Sequence, residues 1–564
     1  MLQVKAVYFI PFALLLGGCG LLGIHFHVHN PKKPGAYPKE TKQILLLGGK
    51  SKNRACYDVT HYGLDISIDP EKRYLRGTVV IDANVVAASD TIQVDLYKNL
   101  KVNGITCGGE NLTYKRTEGA LLIKTPAWFA PGKKMSVAIA YEGKPLVARR
   151  PPWAGGAVWK KDRQGHAWDG VACESEGGSI WWPCKDDVSD EADSTDVSLT
   201  IPAGPIMAVS NGVLKDSSVT EKNKTYRWHI SYPINTYNIT YYVGDFKLIK
   251  DIYYSQVTKD TLRISYYVLP ASYSKAKDHF QQLKKHLAFY EEKFGPYPWP
   301  RDGFKFVESP YEGMEHQTAI AYGNKYKNGY EGFDYIILHE TAHEWWGNSV
   351  TAADLADAWL QEGFATYAEA LYVESIKGHE ASIDYLYNYR ITIGNKRPVV
   401  RKRGVRYFSY KDEDIYSKGA WVLHSLRHVM HNDSLFFDII KQFRIENHQK
   451  QILTETFTNY VNKRTGQDYN WFFKQYLYRR QAPMLEYYWV SNYLYFRWQN
   501  TELDFVKLPV EITCGSFKKT IYPTLFPQRI ELPGDCKRFF FTNEYEVYYG
   551  QKVKYDVVSS YRIP

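Results

Sequence analysis

The densest chemistry in this chain is the run His339-Glu340-Thr341-Ala342-His343. On a helix, residues at i and i+4 project from one face, so the two imidazoles can share a metal ion. Glu340 lies one step round that helix. There it can reach a water beside the metal without ligating it, as a general base must. With 16 histidines in 564 residues, such a pattern arises by chance in about 2% of chains, and two core histidines are the alternative reading. Glu362 decides between them. It lies eighteen residues beyond His343, in Trp359-Leu360-Gln361-Glu362-Gly363-Phe364-Ala365, inside a second helical stretch running to about Ile376. Two imidazoles and one carboxylate leave a fourth tetrahedral position open. That is the arrangement of a catalytic zinc, one per chain, rather than a structural one. Glu369, two turns along the same helix face, is a candidate acceptor for a ligand histidine N–H, or else a solvated charge.

These side chains need helices that start and stop in the right places. Asp334 suits an N-cap before Tyr335 to Leu338, and Gly347 can end the helix in a left-handed conformation. Upstream, Ala276, Phe280, Leu283, Leu287, Tyr290 and Phe294 recur at spacings of 4, 3, 4, 3 and 4, a stripe closed by Gly295-Pro296. Helical patterning continues to about Arg480. Before it, strand alternation dominates from about 55 to 255: Tyr62, Leu64, Ile66 and Ile68 alternate with polar residues, and Ile92, Val94 and Leu96 repeat the period. A Gly/Pro/Trp-rich loop between Arg149 and Gly170 is too aromatic for a linker and should fold over something. After Ala482-Pro483 short strands return, as in Leu485 to Val490. The expected fold is multidomain α+β: a β-rich domain at 55–255, a mainly helical catalytic domain at 256–482 and a small β-sandwich at 483–564.

Composition narrows the classes. A mean hydropathy of −0.43 with one long apolar stretch excludes a polytopic membrane protein, and an aromatic content of 16% excludes disorder. The net charge of +10 is spread along the chain without the basic, aromatic-interleaved patches of a nucleic-acid groove, so no nucleic-acid partner is expected. At the N-terminus, Lys5 and the apolar run Ala6 to Leu16 precede Leu16-Gly17-Gly18-Cys19. This resembles the lipobox of bacterial lipoproteins: a signal peptide over 1–18, lipidation at Cys19 and a linker over 19–54. An uncleaved anchor is the alternative, since Ala6 to Ile24 is just long enough to span. The lipobox predicts a membrane-anchored protein of the bacterial cell envelope, with the outer membrane favoured because Gly20 does not resemble a retention signal. Of the other cysteines, Cys514 and Cys536 flank a strand-rich stretch and could pair, and no C-x-x-C spacing suggests a cysteine zinc site.

The motif His339-Glu340-x-x-His343, its spacer, Glu362 and the run Trp345-Trp346-Gly347-Asn348-Ser349-Val350-Thr351 resemble the aminopeptidase N family of gluzincin metallopeptidases, which also includes leukotriene hydrolase. Further stretches agree. Glu312-Gly313-Met314-Glu315-His316 stands where the family has its exopeptidase motif Gly-Ala-Met-Glu-Asn, and Tyr416-Ser417-Lys418-Gly419 matches its catalytic-tyrosine motif. Glu174-Ser175-Glu176-Gly177 with Trp182-Pro183-Cys184 matches an N-terminal segment that reaches the active site, and Phe294-Gly295-Pro296-Tyr297-Pro298 is a further hallmark. The resemblance covers about residues 55–480 well and the last 80 loosely.

The resemblance implies a saddle-like N-terminal β domain, a thermolysin-like catalytic domain and an aminopeptidase acting on peptides with a free N-terminus. Glu340 would be the general base and Tyr416 the oxyanion donor. Glu315 and Glu174 would bind the substrate's α-ammonium beside Gly313 and Met314, with Glu176 and Glu312 adding negative potential. Glu312, His316 and Gln361 depart from the family pattern, the first two on the substrate side. Longer members also append a helical domain over the site, so the cleft here should be open unless oligomerisation closes it. The rivals are an endopeptidase, an epoxide hydrolase, and a catalytically silent binding lipoprotein on the same scaffold.

Overall fold

The computed structural model describes residues 39–126, 129–406 and 413–554; the signal peptide, the lipobox and Cys19 lie outside them. Two short helices, α1 (Lys42–Gly48) and α2 (Lys52–Ala55), open the described chain, so the expected linker is helical near its end. Arg54 explains why these turns are held: its guanidinium is 1% exposed and 2.6 Å from the buried Asp95.

The β-rich region follows. In its eight-stranded sheet, Tyr57–Asp69 pairs antiparallel with Tyr74–Val85, Leu64 opposite Val79, and parallel with Ser194–Pro202, Leu64 opposite Val197. Side chains on a strand alternate faces, and the apolar phase read from the sequence, Tyr62, Leu64, Ile66 and Ile68, is the buried one. A second sheet holds the hairpin Gly156–Lys161/Ala167–Ala172, then Tyr241–Gly244 and Met207–Ser210. The aromatic loop is therefore a hairpin in its second half.

The catalytic region opens with a five-stranded sheet. Its hairpin Lys247–Tyr254/Thr261–Val268 straddles the boundary expected at 255/256. Ile249, Tyr253, Leu262 and Ile264 share a core with the helices that follow, so this body begins near Lys247. Strand alternation carries no domain label, so a boundary drawn from it falls within this hairpin. Thr261–Val268, Phe304–Glu308 and Ile320–Tyr322 are parallel neighbours, and Gly313–Met314 is an antiparallel edge.

Helices α3 (Tyr273–His279) and α4 (Leu283–Phe294), joined by a 3-10 turn at Phe280–Gln282, carry the stripe from Ala276 to Phe294, every member buried. Gly295 ends α4 at φ 88°, its N–H donating to the Glu291 carbonyl, a backbone conformation that favours glycine. Helix α5 (Tyr335–Ala342) starts where Asp334 accepts from the Ile336 N–H. It stops earlier than expected. The Glu344 N–H bonds the Thr341 carbonyl and those of Trp345 and Trp346 bond the Ala342 carbonyl, tightening the chain into turns. Gly347, φ 119°, serves a later turn in which its N–H meets the Val350 carbonyl.

Helices α6 (Trp359–Lys377), α7 (His379–Arg390) and α8 (Ser417–Met430) complete the frame around the motif. A Cβ added to Gly363 or to Gly419 would sit 2.9 Å from the Cα of the other. This glycine-only approach presses α6 onto α8 and brings Glu362 and Tyr416 to one wall. Beyond Met484 come two small sheets, of four and three strands, with Cys514 and Cys536 joined as a disulfide. Their Leu485, Trp498 and Val510 continue the core of Trp421 and Tyr476. The overall order is thus a β-rich N-terminal region, a helical middle and C-terminal β-sheets. No helix among the described residues is long and apolar enough to cross a membrane.

Candidate functional site

Helix α5 brings the Nε2 atoms of His339 and His343 to 3.1 Å from each other. The Nδ1 of His343 is 2.9 Å from the Trp346 carbonyl oxygen, which only accepts, so the ring proton lies there and Nε2 carries a lone pair. The Nδ1 of His339 is 2.7 Å from Glu369 Oε1, and this carboxylate selects the same tautomer. From α6, Glu362 Oε2 stands 3.5 Å and 3.3 Å from the two Nε2 atoms, buried and without a hydrogen bond. Two lone pairs and an orphaned anionic oxygen converge in one cleft, which suits a cation. Ligands about 2.0–2.2 Å from a tetrahedral zinc are roughly 3.3–3.6 Å apart, so the triad fits that ion.

Glu369 is itself anchored. Tyr389 donates to its Oε2 at 2.9 Å, and Tyr385 donates to the same oxygen. Both phenols come from α7 and had no signal in the sequence, because a tyrosine pair at i and i+4 reads as ordinary core.

The base candidate Glu340 is 6% exposed and faces the edge strand Gly313–Met314. A Cβ at Gly313 would lie 2.3 Å from Glu340 Oε1; only glycine lets the strand pass so close. Glu315 Oε1 accepts from the Tyr237 phenol at 3.1 Å, and the Tyr237 oxygen accepts from Gln361 Nε2 at 3.3 Å. Asn348 Nδ2 donates to the Glu315 carbonyl at 2.9 Å. Gln361 is thus one of the props that hold Glu315 in place. Tyr237 was missed for want of any local motif.

Glu174 reaches the same cleft from the β-rich region. Burial and the neighbouring Glu315 charge push its carboxyl well above the usual range. Glu315 is raised as well, by burial and the Glu362 charge, against the pull of His343. Two crowded carboxylates disfavour each other's charge, and a cation between them would relieve both.

The cleft, of about 390 Å³, is lined by these residues together with Met314, Glu312, Thr366, Glu413, Tyr416 and the loop residues Arg150, Pro152 and Trp153. The aromatic loop thus lines the same cleft as His339, His343 and Glu362. Tyr416, the residue before α8, lies with its ring centroid 6.2 Å from that of His339 at 28°, and burial with the nearby Glu362 charge pushes its phenol well above its usual range.

Glu176 and His316 stand outside the cleft lining, although the Glu176 charge still helps to raise Glu174. Glu176 accepts from the Gly155 N–H at 3.0 Å and from the Ser175 hydroxyl at 2.5 Å; it pins the loop instead of lining the cleft. His316 is buried behind the edge strand, its Nδ1 2.7 Å from the Tyr242 phenol, and burial pushes it down to about 3. The substitution at that motif position is therefore directed into the core. Glu312 does line the cleft, bonded by the Tyr335 phenol.

Residues 279–476 match the Peptidase family M1 domain. Among curated relatives, endoplasmic reticulum aminopeptidase 1 of Mus musculus is 26% identical over 46% of this chain and 29% of its own length. Aminopeptidase B of Mus musculus is 27% identical over 41% of this chain and 37% of its own. The chain thus spans well under half the length of these relatives. Among solved structures, the M1 zinc metallopeptidase from Deinococcus radiodurans superposes with a TM-score of 0.65 at 24% identity, covering 76% of this chain and 94% of that one. A variant of that enzyme bound to a Tyr-Ser-Ala substrate gives 0.63 at 23% identity, covering 76% and 95%.

Proposed function

Since the chain belongs to the aminopeptidase N-type M1 peptidase family, we propose that it is a zinc aminopeptidase that removes the N-terminal residue of peptides. The observation that carries this reading is the carboxylate pair Glu315 and Glu174 lining the same cleft as the His339, His343 and Glu362 triad.

Zinc bound by the triad would act as a Lewis acid on the scissile carbonyl and ease deprotonation of the attacking water. Glu340 takes that water's proton and delivers it to the leaving amine. Tyr416 donates its O–H to the developing oxyanion. Glu315 and Glu174 hold the substrate's α-ammonium, which fixes the first peptide bond opposite Glu340. Among the described residues the strand Gly313–Met314 pairs only with Ile320–Tyr322, which leaves its outer edge to an extended peptide. One zinc per chain, peptides with a free N-terminus and the roles of these residues together make up the proposal.

Acetylation tests it. Capping a peptide's N-terminus removes the charge and adds bulk at Glu315. Charge-assisted hydrogen bonds are worth roughly 1.5–3 kcal/mol each, about one to two decades in kcat/KM. Acetylated peptides should be cleaved at least that much more slowly than free ones. Glu315→Ala should narrow the gap by harming the free peptide, and Glu174→Ala should do so more weakly. Equal cleavage of free and acetylated peptide by the unmodified protein would leave an endopeptidase in place of an aminopeptidase.

The lipobox-like Leu16-Gly17-Gly18-Cys19 supports a lipid tether to the bacterial envelope, with the outer membrane proposed. Cys19→Ser should move the protein from the membrane fraction into the soluble envelope fraction on fractionation. Retention in the membrane would favour an uncleaved apolar anchor.

A further inference from the structure

A second group of metal-ligating side chains lies in the β-rich region, outside the cleft. Asp162 and His166 occupy the turn of the hairpin Gly156–Lys161/Ala167–Ala172, and Asp245 follows the strand Tyr241–Gly244. These strands are neighbours, Asp169 opposite Val243, so the pairing itself brings the three together. One ligand atom from each residue lies within 4.8 Å of the others.

His166 Nδ1 is 3.6 Å from Asp162 Oδ2 and 3.3 Å from Asp245 Oδ2. This nitrogen atom is buried and makes no hydrogen bond to either, on a side chain 34% exposed overall. The Asp162 side chain is only 2% exposed. Its Oδ1 accepts from the Gln164 and His166 N–H groups at 2.8 Å and 2.9 Å. Its Oδ2, aimed at the imidazole, is buried with no hydrogen-bond partner. An imidazolium between two carboxylates would close such gaps with hydrogen bonds at roughly 2.7–2.9 Å. Separations of 3.3 Å and 3.6 Å are instead those of atoms that share a cation about 2.0–2.2 Å from each.

We propose that Asp162, His166 and Asp245 form a second divalent-cation site, of the zinc class. One imidazole with two carboxylates suits zinc and its first-row neighbours better than calcium, which takes oxygen ligands throughout. The site is separate from the cleft triad and shares no residue with it. A cation there fastens the hairpin turn to the chain leaving Tyr241–Gly244. The strand it secures, Ala167–Ala172, ends two residues before Glu174.

The test is zinc stoichiometry on the full chain, by equilibrium dialysis against Zn²⁺ alone followed by metal analysis. The unmodified protein should hold about two equivalents, against about one for the single site of a catalytic centre. His166→Gln and Asp245→Asn should each fall to about one and keep the ability to hydrolyse amino-acid amides. His343→Ala, which damages the cleft triad, should keep the second equivalent. Asp162 is left unchanged because its Oδ1 also holds the turn. Should His166→Gln fail to fold, Asp245→Asn decides alone, since no backbone hydrogen bond rests on its side chain. A single equivalent in the unmodified protein, or two in both variants, would overturn the site and leave His166 as an ion-pair partner of two aspartates.

Discussion

Glu340→Gln should retain its zinc and lose turnover by roughly 10²–10⁴. The two halves of that result have separate causes. Zinc stays because Glu340 is not among the converging atoms: the triad is His339, His343 and Glu362, with His339 oriented by Glu369 and His343 by the Trp346 carbonyl. Turnover falls because an amide cannot take a proton from water and hand it to the leaving amine. Shape is not the reason. Glutamine matches glutamate in size, and the side chain packs against Gly313, where no Cβ intrudes, so the edge strand need not move. The measurement is kcat on a fluorogenic amino-acid amide beside bound zinc per chain. Full activity would remove Glu340 from the mechanism and point to Glu315, which lies within reach of the same Glu340 and His343 atoms. Loss of zinc with activity would show instead that the carboxylate helps hold the ion.

How much of this centre could be read without coordinates depends on the range of the contacts involved. His339 and His343 lie one helical turn apart, and Glu362 and Glu369 two turns apart on one face of α6. Their geometry follows from helical periodicity alone, so local sequence carries it. Asp334 as a cap and Gly295 as a stop are equally local. What holds Glu315 is not. Tyr237 lies 78 residues from it in the chain, and no spacing rule links the two. Tyr385 and Tyr389 beneath Glu369, and the Gly363–Gly419 contact, are likewise products of packing between helices.

The same distinction accounts for the misreadings. Gly347 looked like a helix stop because glycine favours the conformation it does adopt, but the turns after Ala342 close the helix first. Glu176 was expected to add negative potential beside Glu174, and its charge does help to raise that carboxyl, but its side chain is not part of the cleft lining. The Gly155 N–H holds its carboxylate in the turn instead. The joining of Cys514 to Cys536 also needed the tertiary fold, since the sequence left other pairings open.

Tyr416→Phe is the sharper test, because it separates transition-state stabilisation from binding. The substitution removes one hydroxyl and leaves the ring that lies against His339. The glycine contact that presses α8 onto α6 is untouched, so residue 416 keeps its place. An oxyanion donor works only once charge has developed on the carbonyl oxygen, so its loss should appear in kcat and leave KM near its starting value. Removal of one such donor costs about 10²–10³ in kcat, roughly 2.7–4 kcal/mol. The phenol also lines the cleft with Glu362, and burial with that charge raises it well above its usual range, which offers a competing explanation: weaker zinc binding. That route predicts activity restored by added zinc and a lowered metal content, whereas loss of the donor predicts neither. Steady-state kinetics at saturating zinc with metal analysis therefore decide between them. A phenylalanine variant with unchanged kcat would mean that the hydroxyl faces the cleft without meeting the reacting oxygen, and the donor would have to come from another group lining the same cavity.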